Sequence, residues 1–240
     1  MARAPMKSEA ASATILGMTS RRSWLIPTGL IALTVIPAIG GAIRLGDLAS
    51  GGPVTEENAR FHEMPVPVVV HIVAALVYCL LGAFQFAPRF RRRHPRWHRR
   101  AGRVLVAAGL LVALSALWMT FTYAFPAVDA GAVRVERAIV GVAMGTAIVL
   151  AVVAVRGRNF RAHRAWMIRA YALGQGAGTQ AFTTVPWLLL VGPPGQVGRA
   201  VVLGSGWLIN LAIAEWIIRR RGAASASVGE RRAPARAAVT

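Results

Sequence analysis

HIVAALVYCLLGAFQFAPRFRRRHPRWHRRAGRVLVAAGLLVALSALWMTF, residues 71–121, sets two long apolar runs on either side of one arginine-packed turn. The turn itself, RFRRRHPRWHRRAGR at 89–103, holds eight arginines and two histidines in fifteen positions. Each flank approaches the roughly 20 residues that a helix needs to cross a hydrocarbon core of about 30 Å. In such a core, only helices satisfy every backbone group within segments of that length. The stretch reads as a membrane hairpin with a basic turn.

The same pattern fills the chain. Apolar runs of spanning length occupy 24–43, 66–88, 104–125, 138–155, 170–191 and 200–218. They predict an all-α polytopic membrane protein with six transmembrane helices in one bundle, residues 24–218. Residues 1–23 then form an N-terminal tail, and 219–240 a disordered basic tail drawn to an anionic leaflet. Hydrophobic residues make up 55% of the 240, charged ones only 15%, and mean hydropathy is +0.52. A net charge of +19 invites a nucleic-acid reading. A soluble binder would spread that charge over polar elements, whereas here it lies in clumps between apolar runs. Anionic lipid headgroups are the expected partner, and nucleic acid is not.

The clumps also orient the bundle. With both ends cytoplasmic, the inside segments carry 4, 8, 5 and 6 basic residues, 23 of 28. Outside fall Arg44, Arg60, Arg134, Arg137 and Arg199, together with Asp47, Glu56, Glu57, Glu63, Asp129 and Glu136. Every loop obeys the positive-inside rule. Trp24, Trp97, Trp166 and Trp216 fall at the inner interface, Trp118 and Trp187 in the outer halves.

Smaller signals are bland. TSRRSWLI at 19–26 resembles a twin-arginine export signal, but no small-residue cleavage site comes after it and five more spans do. Cys79 is the single cysteine, inside an apolar run, and reads as packing. Pro37 and Pro186 mark kinks, and GVAMG (141–145) and GQGAG (174–178) read as close helix packing. No catalytic motif is present: HExxH, GxSxG and paired aspartates are all missing. Zinc at His94 and His98 would need neutral imidazoles among eight guanidinium groups.

The stretches HIVAALVYCLLGAFQFAPRFRRR, HRRAGRV, FRAHRAWMIRAYALG and NLAIAEWIIRR resemble a bacterial family of predicted membrane proteins, domain of unknown function 2306. The likeness covers about residues 65–221. It implies a multi-span protein of the bacterial inner membrane and brings no activity with it. Within the chain, RWHRRAGRVLVAAG (96–109) and RAHRAWMIRAYALG (161–174) share R-x-H-R at a helix start. His98 and His163 then occupy equivalent places, as in two parallel repeats.

Three groups of residues could carry chemistry. His71, Ala75, Tyr78, Gly82 and Gln85 recur at steps of three and four, on one stripe of the second span. Polar groups there should face the bundle, and His71, Tyr78 and Gln85 are expected to line an intramembrane pocket closed by Glu215. Glu215 is the one carboxylate inside a span, with Arg103, Arg164 or Arg169 as partner. The third group, His98, Arg99, Arg103, His163, Arg164 and Arg169, forms a basic rim fit for an anion.

The leading reading is a ligand-binding or redox-accessory membrane protein. A second makes His98 and His163 the ligands of a b-type haem, or links them with His71 to a quinone; Met119 and Met144 reach His71's depth as further axial candidates. A third uses Glu215 in a small-solute or proton-coupled transporter.

Overall fold

The computed structural model describes the backbone of residues 6–237 and the side chains of residues 24–220. Among the described residues every regular element is helical. The order is α1 (Met6–Ser50), α2 (Ala59–Glu63), α3 (Pro65–Ala83), α4 (Pro88–Arg93), α5 (Pro95–Thr122), α6 (Ala132–Arg156), α7 (Phe160–Gly174), α8 (Gly176–Leu190) and α9 (Gln196–Ala237). Proline sits in the first turn of α3, α4 and α5, where its missing N–H is not needed. Asn159 caps α7, its side-chain oxygen accepting from the Ala162 N–H at 3.0 Å.

Among the described residues, five helices are long and apolar enough to cross a membrane: Trp24–Ser50, Pro65–Phe86, Pro95–Thr122, Ala132–Arg156 and Gln196–Arg220. Helices α3, α5, α6 and α7 pack in chain order, α9 closes against α6, α7 and α8, and α1 lies on α3 and α8. Along α5, Leu111, Leu114, Trp118 and Phe121 are exposed while Ala108, Gly109, Val112, Ala113 and Ser115 are buried. Large side chains outside and small ones inside suit lipid as the solvent, because close backbone approach holds such helices together.

The fifth expected span, 170–191, is not one helix. It falls at Gln175 into α7 and α8, each 15 residues long, or about 22 Å by helical rise. Gln175 has φ −82° and ψ 4°, off the helical well, and its neighbours are Gly174 and Gly176. Its buried side chain holds the break: Nε2 donates to Leu30 O at 3.2 Å and to the Tyr171 hydroxyl at 2.9 Å. Freed carbonyls find donors too, Ala172 O from Asn210 and Gly174 O from the Cys79 thiol.

The ends also differ from expectation. Helix α1 starts at Met6 and runs through Pro27 and Pro37, and α9 continues to Ala237 in a stretch whose composition reads as disordered. Alanine is the best helix former and is frequent in both segments. The inner-leaflet role of the tail's arginines from 221 onward, and of Arg21 and Arg22, rests on side chains outside the described residues.

Candidate functional site

The structure splits the expected pocket stripe into three places. Tyr78 is sealed in the core, 1% exposed, with its ring against Gly109 and Gly174. A side chain at either glycine would strike it, which explains those two glycines. Among the described residues the Tyr78 hydroxyl has no hydrogen-bond partner. Its neighbour Tyr171, 5.7 Å away between ring centroids, donates instead to Cys79 O at 2.7 Å. Glycines on α5 and α7 make room for the Tyr78 ring, which fills the space between them.

Gln85 lies at the arginine-rich end, where its Oε1 meets Nδ1 of His98. Glu215 is also there, held by Arg169 through Nε to Oε1 at 2.5 Å and Nη2 to Oε2 at 3.0 Å. Arg169 also covers the Trp166 ring at 4.7 Å. Of the three partners open in the sequence, Arg169 makes this pair. His163 sends Nδ1 to Ala151 O at 2.9 Å. Each of the paired histidines thus leans on the end of an earlier helix, four residues past its own helix cap, His94 or Asn159. Arg99, Arg103 and Arg164 stand exposed at the same end. Around the turn, Phe84, Phe90 and Trp97 stack with Trp24 as an aromatic collar.

His71 lines a cavity. This space of about 390 Å³ lies in the opposite half of the bundle and is walled by α3, α5, α6, α7, α8 and α9. Its wall is mostly apolar, including Val112, Met119, Met144, Leu203 and Trp207, with His71, Thr120, Gln180, Arg137 and Arg199 as polar points. His71 Nδ1 contacts the Ser115 hydroxyl at 3.0 Å.

An ion cluster beside the cavity, joining Asp129 to two of its lining arginines, was not foreseen from sequence. Asp129, 7% exposed on a short 3₁₀ turn, accepts from Arg137 Nη2 at 2.7 Å and Arg199 Nε at 2.9 Å, one on each oxygen. Burial alone would raise the Asp129 carboxyl, but the hydrogen bonds from Arg137 and Arg199 outweigh it and hold it below the usual carboxylate range. Arg137 also covers the Phe125 ring at 4.5 Å, while its Nη1 is buried without a hydrogen-bond partner. Arg60 approaches the same ring at 5.4 Å. Burial first, then the charge of Arg44, pulls its guanidinium below its usual value. A signal was present: Arg60, Arg137 and Arg199 are among the five basic residues on the side the positive-inside rule disfavours. Nothing in the sequence shows that they converge.

Among the described residues no three His, Cys, Asp or Glu side chains gather as a metal site. A family model described as predicted membrane protein (DUF2306) matches residues 68–218, more than half of the chain. No curated protein and no solved structure matches it.

Proposed function

Because the chain belongs to the DUF2306 family of predicted membrane proteins, we propose that it is a ligand-binding protein of the bacterial inner membrane with a redox-accessory or sensing role. In this reading α7 and α8 together make a sixth crossing. Support comes from their two ends: His163 of α7 meets Ala151 at the arginine-rich end, while Gln196, just past α8, donates to Ala127 O at 2.8 Å near Asp129. Both termini then lie in the cytoplasm, and the exposed arginines there sit against anionic headgroups.

One observation carries the ligand reading: a cavity of about 390 Å³ in the membrane domain whose mostly apolar lining includes His71, Gln180 and two guanidinium side chains, Arg137 and Arg199. Two guanidiniums in an apolar wall favour a ligand that brings an acceptor to them. The test is thermal unfolding of the detergent-held protein against a panel of small anionic, neutral and cationic amphiphiles. At 100 times its dissociation constant a true ligand stabilises by about 2.7 kcal/mol, several degrees. Ala116→Trp, which fills the cavity wall, should abolish the shift. A panel with no stabilising member overturns the reading.

A second reading rests on the other end. His98 and His163 each commit Nδ1 to an earlier helix and so turn Nε2 the other way, which is how a ligating imidazole is held. They would be the ligands of a b-type haem, with Arg99, Arg103 and Arg164 near its propionates. Protein purified after expression with haem precursor should show a Soret band that His98→Ala or His163→Ala removes. A colourless wild-type protein sinks this reading.

A further inference from the structure

Three carboxyl side chains fall inside the candidate spans: Asp47, Glu136 and Glu215. Asp47 is held by Arg44 at 2.9 Å, and Glu215 by Arg169. Glu136, just outside the apolar run 138–155, is different. Helix α6 begins at Ala132, so Glu136 stands about 6 Å along it by helical rise. Among the described residues no cation pairs with it, and its Oε2 is buried without a hydrogen-bond partner. Its surroundings are apolar. Val133, Glu136 and Val140 recur at steps of three and four on one stripe of α6. Val133 is buried against Ala200, Leu203 and Trp207 of α9. One turn on, Oε1 of Glu136 lies over Gly204 of α9, 2.9 Å from where a Cβ would stand. Glycine at 204 is what admits the carboxyl to this seam. Val135 and Ile139 flank Glu136 on α6 and are exposed, so the edge of the seam opens on lipid.

The charged groups at this end of the bundle are Arg134 and Arg137 on α6 itself, Arg199 on α9, Asp129 on the 3₁₀ turn and Arg60 on α2. Arg134 is exposed, and Arg137 and Arg199 both turn to Asp129. Arg60 covers the rings of Phe61 and Phe125. The charge of Arg137 acts on Glu136, but Arg137 gives it no hydrogen bond. Helices α5 and α7 also pack on α6, yet α5 has no charged residue after Arg103 and α7 none after Arg169. Their tyrosines are committed elsewhere, Tyr123 to Met64 O and Tyr171 to Cys79 O. An anion left without a donor in such a seam is costly, and a proton removes its charge.

We infer that Glu136 is a reversible proton-binding site in the α6–α9 seam: as the acid it lets the helices close over Gly204, and as the anion it must draw water between them. Glu136 does not line the cavity, so the site stands apart from any ligand there. The probe is dicyclohexylcarbodiimide, which partitions into lipid and reacts with carboxylic acids rather than carboxylates. The acid O–H adds across one C=N bond: its oxygen joins the central carbon, its proton goes to a nitrogen, and no atom leaves. The full chain in nanodiscs is treated at pH 6 and at pH 9, and its peptides are read by mass spectrometry. Glu136 should carry the adduct, several-fold more at pH 6 than at pH 9, while Glu215, paired with Arg169, stays unmodified. Gly204→Ala, whose Cβ pushes the carboxyl from the seam, should lower the labelling several-fold. Glu136→Gln should delete a neutral-carboxyl C=O band that the parent shows in the infrared at pH 6 and loses at pH 9. A Glu136 left unlabelled at both pH values overturns the inference, as does labelling that ignores pH or a parent without that band. Labelling of the parent needs no variant, so the inference can fail even where a substitution does not fold.

Discussion

Arg169 and Glu215 meet in a two-point contact between α7 and α9, with the guanidinium Nε and Nη2 each on one carboxylate oxygen. Both side chains are about one-third exposed or less, at 27% and 34%. Such a pair ties the first half of the broken helix pair to α9. Glu215→Gln is expected to lower stability by about 1 kcal/mol, since partial exposure screens the pair. Arg169→Lys should cost a similar amount, because lysine cannot supply two parallel donors. Thermal melts measure both. If Glu215→Gln leaves the melt unchanged but abolishes a proton-dependent flux in proteoliposomes, the carboxylate is a transport group instead.

Two core tyrosines should respond oppositely to loss of their hydroxyls. Tyr78 buries an unpaired hydroxyl, so Tyr78→Phe is expected to leave stability unchanged or raise it by about 1 kcal/mol. Tyr171→Phe loses the bond to Cys79 O and one of the Gln175 amide's acceptors, and should cost about 1–2 kcal/mol. At Gly109 an added Cβ would stand 2.6 Å from the Tyr78 ring and 2.7 Å from Ile148. Gly109→Ala should therefore destabilise by about 1–3 kcal/mol through overpacking. The same melts in one detergent rank all three.

Acid should loosen the ion cluster around Asp129. The Asp129 carboxyl is held below its ordinary value of 3.8, so the unfolded chain binds its proton more readily than the folded one. The stability from the two arginine contacts is then complete above about pH 4 and lost as pH falls through the depressed folded value. Melting temperature between pH 6 and pH 2.5 should drop less in Asp129→Asn than in the parent. Equal drops would remove Asp129 as a source of acid sensitivity.

Topology can be read by labelling. In a Cys79→Ala background, single cysteines at Gly52 and Pro194 should react with an impermeant maleimide on intact cells. Cysteines at His94 and Arg158 should react only after permeabilisation. If Pro194 and Arg158 label from the same side, α7 and α8 re-enter rather than cross.

Much of this was legible from the chain. The class of fold follows from runs such as 104–125, since no other arrangement hides so much backbone from lipid. Arg169 stood among three partners for Glu215, because helical spacing constrains depth but not azimuth. His98 and His163 could be matched by motif, as both begin helices and their surroundings are local.

What the sequence alone determined is the alternation of apolar span and arginine turn, because hydropathy and charge are sums over neighbouring residues. Tertiary structure alone decided the break at Gln175, whose stabilising partners Leu30 and Thr34 lie on α1. It alone joined Asp129 to Arg137 and Arg199, and left Tyr78 sealed while His71 faces a cavity. Those outcomes depend on side chains meeting across helices tens of residues apart, where shape and the need to pair every buried polar group choose among faces that local pattern leaves equivalent.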